Sequence, residues 1–482
     1  METTYNVRIW KTEIYRGKRT TTYWVRWCVA GKPRKESFKS SALADGFRSD
    51  LVSAARKGEA FDAATGLPVA MSRRRRDVPV YTLGCKFADL KWPYVAATTR
   101  RTHAEALTAI TTATFTSGRR DEPDGKLMRR ALCRWAFNTP RRNTPGQPGD
   151  VTGALLWAER YSIPVSGLTD ASVLRNVVNS VKSRLDGNPA APSVAYRRLR
   201  ILNTLLEYAV ELGALDENPL PELKRRKKVT TPRAAIVPVD RRSVANPVQV
   251  RCLLEAVRAQ RPSGPRLVAF YGSLYFAALR PEEAVALKKH MLSLPREGWG
   301  KIYVEQPEPY AGKDWTDTGR NRDQRQQLKQ REIGESRPVP CPPELTALFH
   351  EHIRQFGTGP DGRLFVGERN KEELPKLTIT RTWKRARLEV FAEEVATTPL
   401  AATPYDLRHA AVSMWLNSGV PATDVAAWAG HSVDVLLRIY AKCLVGGEAV
   451  AQLRIQQGLG WRPDRPAGNF GTHSAQTPGD VQ

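Results

Sequence analysis

Three residues late in the chain have types and spacing suited to chemistry at a phosphate. Arg408 opens one helical stretch, His431 follows a break at Gly430, and Tyr440 lies near the end of the next stretch. The first two are 23 positions apart and the last two nine. An arginine guanidinium is permanently charged and presents a planar fork of donors that matches phosphate oxygens. A tyrosine hydroxyl becomes a covalent nucleophile when its surroundings lower the cost of losing its proton. With a free pKa of about 10, roughly one phenol in a thousand is ionised at neutral pH, so attack on phosphorus needs help.

The pattern around these residues predicts three short helices separated by glycines. Residues 407–416 form an apolar segment that Gly419 stops. Pro421 starts a second helix with Val425 and Trp428 pointing inward, and Gly430 ends it. Ser432 caps a third, on which Val435 and Ile439 repeat. Such breaks allow Arg408, His431 and Tyr440 to converge, although a helix-turn-helix DNA reader has a similar outline. Upstream, Arg280 precedes a helix with Pro281 at its first position and Glu282 and Glu283 in its first turn, which is good start chemistry. Residues 301–305 and 337–340 read as strands, the second confined to a sheet edge by Pro338 and Pro340. Between them, residues 309–334 are polar, charge-dense and without an apolar face. Helices are expected at 248–259, 266–278, 343–355 and 378–392.

The 482 residues are enough for two to four domains. Lysine and arginine number 75 against 49 acidic residues, a formal charge of +26. That surplus points to a polyanionic partner, with a basic proteome or simple solubility as the bland alternative. No apolar run is long enough to cross a bilayer, and the first residues lack the apolar core of a secretory leader. The six cysteines are scattered without a CxxC or any metal-ligand spacing, so reduced thiols, no metal, no cofactor and a cytoplasmic location are expected.

Residues 1–70 read as a three-stranded sheet plus a helix, the helix carrying Leu43, Phe47 and Leu51 on one stripe. Arg8 and Arg26, set among tryptophans, would suit a sheet laid against DNA. Residues 71–80, with four consecutive arginines, read as an extended basic linker. Residues 81–228 form an all-α region with helices at 101–114, 125–137, 150–161, 170–184 and 193–212. Arg197, Arg198 and Arg200 load the start of the last helix, where cations oppose the helix dipole and a nearby phosphate would relieve them. A solvated basic face explains any one of them equally well. A second linker at 229–246 leads to a mixed α+β, mostly helical domain at 247–455, and the Pro/Gly/Ser-biased stretch 456–482 reads as disordered.

Taken together, the late residues resemble the C-terminal boxes of the tyrosine recombinases, the phage-type integrases. The likeness rests on the two spacings, on Leu407-Arg408-His409 and on Gly430-His431. Ala278-Leu279-Arg280-Pro281-Glu282-Glu283 is similar to the family's first arginine box, with Glu283 in its acidic position. The resemblance extends over the mixed domain and more loosely over the helical region, which looks like a core-binding domain. The N-terminal module is similar in layout to arm-binding modules of phage and actinomycete-element integrases. It implies that Arg280 and Arg408 clamp the scissile phosphate, that His431 hydrogen-bonds a non-bridging oxygen, and that Tyr440 forms a 3′-phosphotyrosyl link needing neither metal nor ATP. A lysine between strands protonates the leaving 5′-oxygen, and Lys329 is favoured over Lys313. The implied partners are double-stranded DNA attachment sites, further copies of the chain in a tetramer, and a DNA-bending or excision accessory protein.

One position departs from the family. Tyr405 stands where a histidine is usual, three residues before Arg408. A phenol can donate to a phosphate but is a poor base at neutral pH. Proton removal from Tyr440 is then left to His431, water or the phosphate itself. His409, adjacent to Arg408, should point elsewhere and pack. Two other classes compete with this reading: a DNA-binding regulator that kept the fold and lost catalysis, and a topoisomerase.

Overall fold

The computed structural model describes residues 2–17, 21–116, 118–119, 121–184, 187–226, 238–324, 335–368, 371–443 and 448–460; within helices, side chains of 73–76, 224–226 and 450 are also outside the description. The chain divides into two compact units, Met1–Ala235 with Tyr310–Asp323, and Ile236–Pro309 with Gln324–Gln482.

In the first unit a small sheet comes first. β1 (Thr3–Thr4) pairs with β6 (Phe61–Asp62), while β2 (Val7–Ile9), β3 (Glu13–Arg16), β4 (Thr21–Val29) and β5 (Lys32–Phe38) form a separate antiparallel sheet. β5 lines one edge of β4; β2 and β3 share the other, β2 opposite Trp27 to Val29 and β3 opposite Thr21 to Trp24. The sheet therefore has four strands where the sequence suggests three, because one edge is split. Val25, Trp27 and Val29 of β4 alternate inward onto Ala44, Leu51 and Ala54 of α1 (Ser41–Arg56). Leu43, expected on the buried stripe, is exposed: the contact face is centred one residue further on.

The arginine run is not an extended linker. It lies in α2 (Val69–Arg76), and Ser72 within it is buried and donates to Asp62 at 3.2 Å, which pins the helix to the sheet module. α3 (Val80–Lys91), α4 (Ala97–Thr112), α5 (Gly125–Ala131), α6 (Gly149–Tyr161), α7 (Ala171–Lys182), α8 (Pro192–Glu211) and α9 (Leu220–Arg226) follow. Asp124 and Asp170 cap α5 and α7, and α5 continues into a π turn at Leu132–Ala136. Leu202, Leu205, Leu206 and Ala209 of α8 are fully buried, as their spacing predicts.

The segment Tyr310–Asp323 also belongs to this unit, although it lies between two strands of the other. Trp315 is buried with its ring 6.0 Å from Trp92, and Arg100 grips Asp317 through two bonds of 2.6 and 3.0 Å while donating to the Trp315 carbonyl. Arg141 pairs with Asp314 at 2.7 Å. A stretch that is polar and lacks an apolar face finds its partners in these arginines, so the domain expected at 247–455 is interrupted.

The second unit holds α10 (Pro247–Ala259), α11 (Val268–Phe276), α12 (Pro281–Ala286), the sheet β7 (Leu292–Ser293), β8 (Gly300–Val304) and β9 (Arg337–Cys341), then α13 (Pro343–Phe356), α14 (Lys376–Val390), α15 (Glu393–Ala396), α16 (Pro404–Asn417), α17 (Ala422–Ala429), α18 (Val433–Tyr440) and α19 (Glu448–Gly458). The sheet order is β7-β8-β9, so the proline-bearing β9 is at an edge, as expected. α11 is buried along its whole length and packs on α13 and α16. No helix among the described residues is long and apolar enough to cross a membrane.

Candidate active site

The site is assembled at the ends of short helices in the second unit. Asp406 fixes the start of α16 by accepting from the Thr403 backbone N–H (2.7 Å) and hydroxyl (3.0 Å). Arg408 follows one residue after Leu407 turns into the core, and it is fully buried. Its Nη1 donates to the Ala278 carbonyl and its Nη2 to the Ala429 carbonyl and to His431 Nε2 at 2.9 Å. Arg280 Nη2 donates to the next carbonyl, Gly430, at 2.8 Å. The last carbonyls of a helix have no partner within it and carry partial negative charge. The end of α17 thus orients both arginines.

Two backbone conformations make this possible. Gly430 has φ +64°, and a Cβ there would lie 2.3 Å from Arg337 Nη1 and 3.2 Å from Arg280 Nη1, so geometry and crowding both demand glycine. Ala278, with φ +48°, adopts the left-handed region without being glycine, a local strain of the kind concentrated at functional sites.

Glu283 ties the arginines together. One oxygen accepts from Arg280 Nη1 (2.7 Å) and Arg337 Nη1 (3.0 Å), the other from Arg337 Nη2 (2.7 Å) and the Arg280 backbone N–H (2.8 Å). Burial pushes this carboxyl up, but Arg337 and Arg280 outweigh it and bring it down to about 2. Arg337 reaches the cluster because β9 alternates Arg337, Val339 and Cys341 onto its buried face.

His431 is held neutral. Burial first, then Arg408 and Arg280, push its pKa down to about 3. Arginine can only donate, so Nε2 must be the acceptor and the proton sits on Nδ1. That Nδ1, like Arg408 Nε and Arg337 Nε, is buried and has no hydrogen-bond partner among the described residues. The Tyr440 ring stacks on His431 with centroids 6.2 Å apart, and burial raises its pKa against the pull of Arg408. Its hydroxyl lies 2.9 Å from His409 Nδ1.

Among solved structures, the chain resembles the Tn1549 transposon integrase in complex with transposon right end DNA, with a TM-score of 0.50 and 15% identity over 80% of this chain and 100% of that one. The fold is that of the tyrosine recombinases. A lambda integrase dimer bound to a COC′ core site matches at TM-score 0.45 and 12% identity, over 94% of this chain and 97% of that one. No protein-family model and no curated protein matches the chain.

On this recombinase fold Arg280, Tyr405, Arg408, His431 and Tyr440 come into one cluster, Tyr405 joining it through the His409 ring that bonds Tyr440. Lys329 lies outside the described residues. Lys313 is exposed in the Tyr310–Asp323 segment of the first unit. Of the basic residues expected to meet DNA, Arg197 and Arg200 are exposed on α8, whereas Arg198 donates to the Ser183 carbonyl at the end of α7 (3.0 Å). Arg26 pairs with Glu13 at 3.2 Å, and Arg8 lies over the Trp10 ring.

Sequence reasoning misses two residues. Arg337 reads there only as part of an edge strand. His409 does not simply pack: it meets the nucleophile candidate. Adjacent helical residues do diverge, so His409 does point away from Arg408, but α18 brings Tyr440 into the sector that His409 faces. The signal is present in the spacing of Tyr405 and His409, four apart and hence on one helix face, with ring centroids at 5.0 Å.

Proposed function

We propose that this chain is a site-specific DNA recombinase that cleaves and rejoins strands through a 3′-phosphotyrosyl intermediate. The observation that carries the reading is the convergence of two arginines, a neutral histidine and a buried tyrosine: Arg280 and Arg408 donate to adjacent carbonyls at the end of α17, Arg408 also donates to His431, and the Tyr440 ring stacks on His431. Arg280 and Arg408 hold the non-bridging oxygens and the charge that builds in the transition state. His431 offers its Nδ1–H to the same phosphate. Tyr440 attacks phosphorus, the 5′-oxygen leaves with a proton from Lys329, or from Lys313 in the alternative assignment, and the phosphotyrosyl bond conserves the energy for rejoining.

Exchange of two strands in stages requires four protomers on two DNA partners, and the biology that fits is integration and excision of a mobile element. The neighbour held on transposon end DNA is consistent with that role. The high positive charge suits duplex DNA and predicts affinity that falls steeply with salt.

The test is covalent capture. Nicked duplexes randomised around the nick are incubated with the chain, and SDS-resistant adducts are selected and sequenced. The wild type is expected to enrich a defined core sequence, and Tyr440→Phe to bind it without forming an adduct. Capture by Tyr440→Phe at the wild-type level would move the nucleophile elsewhere. Specific binding with no adduct from the wild type would favour a catalytically silent regulator, for which Tyr405 in the usual histidine position is the one supporting feature.

A further inference from the structure

We infer that His409 is the general base that takes the proton from Tyr440. The inference rests on the recombinase reading and supplies what that reading lacks, since Tyr405 cannot serve as a base at neutral pH.

The geometry is direct. His409 Nδ1 and the Tyr440 hydroxyl are 2.9 Å apart, within the range expected of a base and the proton it removes. Tyr440 is 1% exposed, and His409 is its one hydrogen-bond partner among the described residues. A buried hydroxyl proton without an acceptor is costly, so the phenol donates and Nδ1 accepts. His431, the other imidazole near the ring, cannot take this proton, because its Nε2 is occupied by Arg408 and its Nδ1 is already protonated. Phosphate contact and proton removal are thereby divided between two histidines.

The groups facing His409 agree with this role. On its own helix Asp406 favours a proton and Arg408 opposes it; burial is the largest effect and keeps the imidazole neutral, ready to accept. From α18 comes Tyr440, and Tyr405 packs edge-on at 5.0 Å. The charge of Arg408, which acts on Tyr440, stabilises the phenolate as it forms. The step balances: the Tyr440 O–H bond breaks, its proton passes to Nδ1, the oxygen–phosphorus bond forms, and the 5′-oxygen departs with a proton from the lysine. In the reverse reaction the imidazolium returns its proton to Tyr440.

The experiment uses the 482-residue chain and the duplex selected by wild-type covalent capture. Single-turnover adduct formation is followed for wild type, His409→Asn and His409→Gly between about pH 6 and pH 9, the range in which a base matters. Asparagine can still accept a hydrogen bond from Tyr440 but cannot take its proton. His409→Asn is expected to cleave about 100-fold more slowly with unchanged DNA affinity and to speed up continuously with pH as hydroxide substitutes. His409→Gly is expected to recover about tenfold when imidazole is added, in proportion to its free-base form. Retention of wild-type rate and pH profile by His409→Asn, or a slow His409→Gly that imidazole leaves unchanged, would overturn the assignment while leaving Tyr440 as nucleophile. Failure of the wild type to form any adduct would overturn both readings.

Discussion

Two buried ion clusters stand in the second unit, and their charges close differently. Arg363, 4% exposed, sits between two carboxylates, Glu308 at 3.0 Å and Asp361 at 3.1 Å, and the latter reaches solvent. Glu283, 1% exposed, is a single carboxylate among three guanidiniums: Arg280 and Arg337 in contact, and Arg408 acting at longer range. Removing an ion from water costs several kcal/mol unless partners compensate it. The first cluster has acid to spare at its wet edge and serves to tie β8's outgoing chain to the loop before Phe365. The second keeps surplus positive charge inside, with Glu282 adding only a weaker field at its rim. Surplus charge held in fixed geometry is what a site for an anionic transition state requires.

The contrast can be broken most directly by neutralising each acid. Glu283→Gln would strand buried guanidiniums, and a loss of roughly 3–5 kcal/mol is expected in urea unfolding. Glu308→Gln should cost clearly less, because Asp361 still holds Arg363. The reverse order would mean that the two clusters do not differ as described.

Acid should then resolve the second cluster into two windows. Native Glu283 stays ionised to about pH 2, whereas an unfolded glutamate takes up its proton near 4.5. Its contribution is complete above 4.5 and lost as pH falls toward 2, on the order of 3 kcal/mol. His431 remains neutral in the folded chain down to about 3 while the unfolded imidazole protonates near 6.5, so stability also falls between 6.5 and 3. Stability measured against pH should keep the upper limb and lose the lower one in Glu283→Gln.

The smallest effect concerns the turn that aims the arginines. Gly430→Ala forces a left-handed alanine, about 1–2 kcal/mol, and displaces Arg337. Its stability loss should be accompanied by slower covalent capture, since Arg280 donates to the Gly430 carbonyl. A variant that loses stability but captures DNA at the wild-type rate would show that the carbonyl does not aim Arg280.

Much of the chemistry was legible in the chain itself. Arg408, His431, Tyr440 and Arg280 are ordinary residues individually, and their order and spacing alone imply one site. Helix starts at Asp170, Pro281 and Ser432 were equally readable, because start signals are local and each depends on residues within one turn. Other features depend on contacts between residues far apart. Tyr310–Asp323 has no apolar period, and its place in the first unit depends on Arg100 and Trp92, more than 200 positions earlier. The pairing of His409 with Tyr440 spans 31 positions and two helices whose crossing no local pattern specifies. Arg337 looks like an exposed edge-strand arginine until the alternation of β9 turns it inward onto Glu283. Residue type and spacing determined which groups could act on a phosphate; tertiary packing decided which of them touch, because buried charge and a buried phenol accept only the partners that the fold brings within 3 Å.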